Sequence, residues 1–392
     1  MSPHLEWLLI GWSLLAACWW GIAIWLVSRG RYRPFMRSEN VPEGSDQNRS
    51  TLSIFKPIAG LRGAVPSPQL IAALESFVNQ MDEDMEKLLG IEEGDAEEWQ
   101  PVIDRWTKKF PSVQLKPIVV PRPDRFPSPK ISWFDTLAAH AGGELWMWSD
   151  ADIVASPGLI YTMRRELSDS KAGMVTCPYV VRSVESGPMM LEALFANVEF
   201  YPGVLFCRRT GPVRFGLGAA MMFSAIRFRE QVRWEELGAR LADDNALGRA
   251  LAPVKISEAT LETLASESNW RDAIQHYMRW QKTVCWCEPA GFAGQIVILP
   301  VMGWLLAALT HPGSLVAWLG LAVTTQIEML TAAALFRLIG CEMRSWRVVG
   351  LWSLLLRPLT WVACWVPWPV VFRSQNRKWS SLYRSAPLEG EA

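Results

Sequence analysis

Apolar residues are distributed very unevenly along this chain. Trp7 to Val27 is an uncharged run of 21 residues, long enough to cross a hydrocarbon core as a helix. Three more apolar runs fill the C-terminal quarter. Phe292 to Thr310 carries no charge, Ser314 to Phe336 carries Glu328, and Val348 to Phe372 carries Arg357. Between these blocks, residues 51–290 alternate short apolar stretches with amphipathic ones. "TLSIF" (51–55), "LLGIE" (88–92), "VQLKPIVV" (113–120), "LWMWS" (145–149) and "AGMVTCPYV" (172–180) read as buried strands. "SPQLIAALESFVNQ" (67–80) and "DAEEWQPVIDRWTKKF" (95–110) read as helices. Such alternation predicts an α/β domain with a mainly parallel sheet covered by helices on both faces. No internal repeat is visible.

The flanks of the apolar runs suggest a topology. Arg29, Arg31, Arg33 and Arg37 follow the first run, whereas "MSPHLE" before it has no Lys or Arg. The positive-inside bias then leaves the N-terminus outside and the chain after residue 28 in the cytosol. "LAAC" (15–18) imitates a lipoprotein cleavage box, but no basic segment precedes it and the apolar run continues past Cys18. The sequon Asn48 to Ser50 faces the wrong compartment on this topology. "HPG" (311–313) predicts a tight hairpin between the next two runs. The last run holds Arg357-Pro358 mid-segment and the prolines of "VPWPV", so a broken or re-entrant segment competes with a fourth full span. The basic "RSQNRKW" after it places the tail back in the cytosol. Glu328 and Arg357 read either as polarity for a lipid site or as a pair between helices. The expected organisation is an anchor (1–37), a polar linker (38–50), a catalytic domain with an interfacial helix (51–290), a membrane region (291–373) and a tail (374–392).

Composition agrees with a soluble domain joined to membrane segments. Half of the 392 residues are hydrophobic, 22 are Trp, and 20% are charged. Lys+Arg and Asp+Glu balance at 39 each, so no global field attracts nucleic acid, and none is expected as a partner. Seven scattered cysteines, with Cys285-Trp-Cys287 the closest pair, complete no zinc site and point to reduced thiols facing the cytosol.

The candidate chemistry starts at "WSDADI" (148–153). Asp150 and Asp152 follow a predicted strand at its carboxyl end, where an open α/β sheet binds ligands. A solvated loop, a helix cap and a cation site all produce such a pair. In extended geometry residues two apart face the same way, so both carboxylates can meet one hard cation, Mg²⁺ or Mn²⁺, completed by phosphate oxygens. A similar "DED" (Asp82 to Asp84) reads as a solvated cluster at a helix end. "LADDNALGRAL" (241–251) sets Asp243 and Asp244 ahead of a helical run, as an N-cap would. "IQHYMRWQKTV" (274–284) puts His276, Arg279 and Trp280 on one helical turn, which also suits a plain interfacial anchor.

Taken together these segments resemble the membrane glycosyltransferases of the ceramide glucosyltransferase type, glycosyltransferase family 21, and most closely a bacterial branch that includes hopanoid-associated enzymes. The likeness spans about residues 50–373. It rests on "SIFKPIAG" (53–60), "LLGIEEGDAEEW" (88–99), "SPKIS" (128–132), "WSDADI" (148–153), "GMVTCPYV" (173–180), "FGLGAAMMF" (215–223), "LADDNALGRAL", "HYMRW" (276–280) and "EPAGFAG" (288–294). The resemblance implies a GT-A-type nucleotide-sugar domain on the cytosolic face of a bacterial cytoplasmic membrane. It implies inverting transfer from a UDP-sugar, such as UDP-glucose, to ceramide or a similar lipid, hence a role in glycolipid or sphingolipid metabolism. Carried over by motif, Lys56 and Lys130 assist donor binding and Glu93 contacts the nucleoside. Asp150 and Asp152 hold the metal and diphosphate, Asp244 is the general base, and His276, Arg279 and Trp280 close over the diphosphate. Family members usually have Asp where Glu93 stands, and Asp95 lies nearby. The animal enzymes keep one carboxylate of the D-x-D; both are present here, which favours metal dependence. The last motif usually opens with Gln or Arg, and here it opens with His276.

Elementary chemistry asks for the same parts. Displacing a nucleoside diphosphate requires positive charge at the leaving oxygens, supplied by a cation at Asp150/Asp152 and by Arg279. A lipid hydroxyl needs a carboxylate in reach to take its proton, the role of Asp244. One base opposite the leaving group gives inversion. Lys130 reads equally as a phosphate contact and as a solvated lysine. Two rivals remain. A processive polysaccharide synthase shares these motifs, but three or four spans look too few for a channel. A membrane protein that binds nucleotide sugars without turnover is the other, motivated by Glu93.

Overall fold

The computed structural model describes residues 1–30, 50–58, 65–80, 84–240, 242–265 and 269–365. The linker before Ser50, Ala59-Gly60 of the first motif, Asp82, "VPWPV", "RSQNRKW" and the tail lie outside the described residues. The chain divides into two compact units. One comprises Met1–Tyr32, Val180–Arg209 and Ala265–Gln375; the other is built on Arg33–Tyr179 and Thr210–Leu264.

The second unit is a mixed α/β structure with a mainly parallel sheet, as its alternating pattern predicts. Among the described residues ten strands occur: β1 (Leu52–Ile58), β2 (Met85–Glu92), β3 (Gln114–Val120), β4 (Leu145–Ser149), β5 (Ile153–Val154), β6 (Met174–Thr176), β7 (Tyr179–Val180), β8 (Ala220–Ser224), β9 (Val254–Ile256) and β10 (Leu261–Thr263). Seven form one sheet in the order β3-β2-β1-β4-β8-β6-β9, in which only β8 runs antiparallel to its neighbours. β5, β10 and β7 form a small second sheet.

β4 is apolar without alternation because both of its faces are covered. Trp146 and Trp148 join Phe55, Phe134, Phe223 and Phe228 in an aromatic layer on one face, with Phe134 stacked on Trp148 at 4.3 Å. Met147 packs on the other face with Ile54, Val175 and Met222. The helix Pro129–Ala138 lies on the aromatic face through Ile131, Phe134 and Leu137. Its N-terminus is fixed by Ser128, whose hydroxyl accepts from the Ile131 N–H, with proline at the first helical position.

The first unit is helical and apolar. Four of its helices are long and apolar enough to cross a membrane: Pro3–Gly30, Gly187–Thr210, Leu315–Ile339 and Trp346–Trp365. A fifth candidate is the pair Pro289–Ile298 and Pro300–Thr310, bent by 55°. At that bend Pro300 supplies no N–H, and the indole of Trp12 donates to the carbonyls of Ile296 (2.9 Å) and Val297 (3.1 Å). An apolar medium offers no other partner for such carbonyls. Through Arg357-Pro358 the chain passes a π-turn, Trp352–Leu356, and continues helical to Trp365. Arg357 and Glu328 face each other at 3.5 Å, Ser353 donates to the same carboxylate at 2.5 Å, and the guanidinium lies over the rings of Trp20 and Trp352. Both polar residues thus pair across helices. The Leu315–Ile339 helix approaches Trp304 so closely that a Cβ on Gly320 would lie 2.5 Å from that ring. Small residues permit such approach in membranes. Gly320→Ala should therefore lower the thermal midpoint in detergent, at a cost on the order of 1–3 kcal/mol. Gly313→Ala, with nothing within 4 Å, should leave it unchanged.

Candidate active site

The second unit gathers five of the sequence-selected residues at the carboxyl end of β4. Asp150 follows that strand directly, and Asp152 immediately precedes β5. Pairing of β5 with β10 fixes Asp152: its carbonyl accepts from Leu264 N–H (3.0 Å) and its carboxylate from the Thr263 hydroxyl (3.2 Å). Burial, and then the neighbouring Asp150, push the Asp152 carboxyl above the usual range. Lys56, on β1 beside β4, is 1% exposed; its ammonium donates to Ser149 Oγ (3.0 Å) and to the Asp150 carbonyl (2.6 Å) and lies over the Phe77 ring. It braces the loop that carries both aspartates.

Lys130 lies in the first turn of the helix Pro129–Ala138 and forms an ion pair with Asp150 Oδ1 at 2.6 Å, with Asp243 Oδ2 at 4.0 Å. The two lysines respond oppositely to their surroundings. Burial pulls Lys56 down to about 7 despite Asp150 and Asp152. Burial acts on Lys130 too, but Asp150, Asp243 and Asp244 outweigh it and hold the ammonium above its usual value. Direct carboxylate contact makes the difference: Lys56 meets a carbonyl and a hydroxyl, Lys130 a carboxylate.

Asp244 completes the group. The cap of the helix Asp243–Ala250 is Ala242, without a side-chain bond, so Asp243 and Asp244 occupy the first turn instead of capping it. Asp244 is held by two glycines. Gly218 N–H donates to Oδ2 (3.0 Å), Gly216 N–H to the backbone carbonyl (3.1 Å), and Asn245 N–H to Oδ1 (2.8 Å). Burial, then Asp243, raise its carboxyl to about 6, against the pull of Lys130 and these N–H groups. A Cβ on Gly218 would stand 3.0 Å from Lys130 Nζ, 3.4 Å from Asp244 Oδ2 and 3.6 Å from Asp150 Oδ2. The absent side chain therefore leaves open a position that three charged groups face.

Tyr179 and Gly218 carry no role in the motif reading. Burial and then Asp244, Asp150 and Asp152 hold the Tyr179 phenol protonated well above its usual range, so it can donate a hydrogen bond among acidic neighbours. Both residues stand inside motifs, "CPYV" and "GLGAAMMF", and the doubled glycine was the available signal. Glu93 is exposed in a 3₁₀ turn at the end of β2, and Asp95 behind it is 2% exposed.

His276, Arg279 and Trp280 belong to the first unit, on the helix Trp270–Cys287, which Asn269 caps through the Asp272 N–H. His276 Nδ1 is 3.1 Å from Glu192 Oε1, and its ring contacts Trp280 at 3.9 Å. Trp280 stacks on Phe195 at 4.5 Å. Arg279 is exposed, and its side chain has no partner among the described residues.

No three His, Cys, Asp or Glu side chains among the described residues form a metal-holding group. Two carboxylates on one three-residue stretch do suit Mg²⁺ or Mn²⁺, which keep few protein ligands and take the rest from phosphate and water. The site thus fits a cation that is completed by a diphosphate.

No curated protein matches the sequence. Among solved structures the chain is similar to a mannosyltransferase, PcManGT from Pyrobaculum calidifontis in complex with GDP-Man and Mn²⁺, at 17% identity and a TM-score of 0.43 over 95% of each chain. It is also similar to GalNAc-T7 with UDP, GalNAc and Mn²⁺, at 11% identity and a TM-score of 0.42 over 61% of this chain and 48% of that one. The model of glycosyl transferase family 21 matches residues 7–376, nearly the whole sequence. Through that match, which takes in every site residue described above, the chain belongs to glycosyl transferase family 21.

Proposed function

We propose that this glycosyltransferase moves a sugar from a UDP-sugar to the hydroxyl of a membrane lipid, ceramide or one like it, with inversion at the anomeric carbon. The reading places a GT-A-type catalytic domain on the cytosolic face of a bacterial cytoplasmic membrane. The observation that carries it is the Asp244 carboxylate, held by Gly218 and Asn245 across from the Lys130–Asp150 pair. Its carboxyl near 6 suits a general base that works at neutral pH. Asp244 takes the proton of the lipid hydroxyl as that oxygen attacks the anomeric carbon. Asp150 and Asp152 would hold a divalent cation, which would supply charge neutralisation at the departing diphosphate. Lys130 adds positive charge on the same side, while Lys56 keeps the Asp150 loop in place. His276, Arg279 and Trp280 act on the diphosphate, and Glu93 or Asp95 on the nucleoside. The apolar helices support a lipid acceptor whose tail stays in the bilayer.

The test is direct. Detergent-solubilised protein is incubated with radiolabelled UDP-sugars and a lipid extract. Labelled glycolipid supports the reading; water-soluble polymer points to a processive synthase, and donor binding without product to a non-catalytic binder. Gly218→Ala should keep the fold but lower turnover by about tenfold, since a methyl group in a filled site costs roughly 1–3 kcal/mol. Unchanged turnover in that variant would show that substrate does not use the space beside Lys130 and Asp244.

A further inference from the structure

The helix Gly187–Thr210 holds two carboxylates that the proposed chemistry does not use. Glu192 is 4% exposed and meets His276 Nδ1 at 3.1 Å. Glu199 lies in a π-turn, Phe195–Phe200, and accepts three hydrogen bonds: from Tyr277 Oη (2.6 Å), Gln281 Nε2 (2.6 Å) and Trp352 Nε1 (3.1 Å). Tyr277, Gln281 and Trp352 are each 1% exposed. Between the two carboxylates, Phe195 stacks on Trp280 and meets Tyr277 edge-on. Residues 192, 195 and 199 therefore face 276, 277, 280 and 281 in the same order, so the two helices run in parallel along this seam.

Apolar side chains of similar size would hold two such helices together without the cost of burying a carboxylate. Hydrogen bonds add direction. Two bonds one helical turn apart, from Tyr277 and Gln281, fix both the rotation and the axial position of the helix Trp270–Cys287 relative to Glu199. That helix carries Arg279, exposed and unengaged, and Trp280, pinned on Phe195. A rotation of a few tens of degrees would turn Arg279 away from whatever it serves. Trp352 attaches the same carboxylate to the last apolar helix.

We infer that Glu199 is a positioning residue for donor binding: it sets the orientation of the helix Trp270–Cys287 and so presents Arg279 and Trp280 to the diphosphate. The inference rests on the donor role proposed above for those two residues. The experiment is equilibrium binding of radiolabelled UDP with Mn²⁺ to the full-length protein in detergent. Glu199→Leu should weaken binding by about tenfold, within the range of coupling between residues that share a network. Glu199→Gln should stay within about twofold, because its amide oxygen still serves Tyr277 and Trp352. Gln281, whose own amide oxygen is buried without a partner, can turn over to accept from the new amide. Arg279→Ala should weaken binding in the wild-type background and add little in the Glu199→Leu background, since a misoriented arginine has little left to lose. A role confined to stability would make the two losses additive and overturns the inference, as does Glu199→Leu protein that binds UDP normally. Should Glu199→Leu not fold, Tyr277→Phe keeps the ring against Phe195 and deletes one donor, and the same comparison with Arg279→Ala decides. Wild-type protein that binds no UDP overturns the donor reading itself, a result distinct from additive losses.

Discussion

Asp244→Asn protein folds and binds donor but transfers sugar on the order of 10²–10⁴ times more slowly than wild type, the usual contribution of a positioned base. The asparagine fits the same space and cannot take a proton. The wild-type rate at saturating donor should itself depend on pH through this group. Its carboxyl is raised to about 6 by burial and by Asp243, and only the ionised form accepts the lipid's proton. The rate is therefore low at pH 5, rises through about 6 and levels off above it. Single-turnover glycolipid formation across pH 5–8 checks both points. A flat profile, or an Asn variant with a rate near wild type, would remove Asp244 from the proton transfer.

The second large effect concerns Asp152. Its carboxylate is anchored by Thr263, and its backbone by Leu264, so the side chain is aimed before any ligand arrives. Asp152→Ala should abolish metal-stimulated turnover, a loss on the order of a hundredfold or more, given the several kcal/mol that a bound cation supplies to a developing anion. EDTA should silence the wild type, and added Mn²⁺ or Mg²⁺ should restore it, while the variant stays slow under all three conditions. Equal wild-type rates with and without EDTA would refute the cation role. A direct titration of Mn²⁺ in the presence of UDP, followed by the signal of free Mn²⁺, gives a readout that does not depend on turnover.

Parts of this architecture could be read from the letters. β4 coincides with "LWMWS" residue for residue, because a run buried on both faces is apolar throughout and ends abruptly at Asp150. β1 and β2 extend three residues beyond their apolar centres on one side, where Lys56 and Glu86 interrupt the pattern yet are buried. β8 was hidden inside "GLGAAMMF", where glycine and alanine dilute the strand signal and the antiparallel direction has no local signature. The helix Gly187–Thr210 is hard to read from the sequence for a different reason. Its carboxylates and its proline-glycine pairs look like solvent-facing interruptions until their partners, some eighty residues away, are known. Distance in sequence also hid the clamp on Asp244. A carboxylate before a helix resembles a cap, and only the fold shows that it accepts from the Gly218 N–H while the Gly216 N–H bonds the Asp244 backbone carbonyl. The D-x-D stands out in the sequence as a carboxylate pair at a strand end; the lysines that frame it stand out only as residues within motifs.

The chain's path through its two units has a practical consequence. Val180–Arg209 belongs with the N-terminal and C-terminal segments, whereas the residues on either side of it belong with the sheet. Trimming from the ends therefore cannot release a water-soluble catalytic fragment, because an apolar helix with two interior acids would remain strung through its middle. Anyone seeking such a fragment would have to excise that internal stretch and rejoin Tyr179 to Thr210 through a short polar bridge.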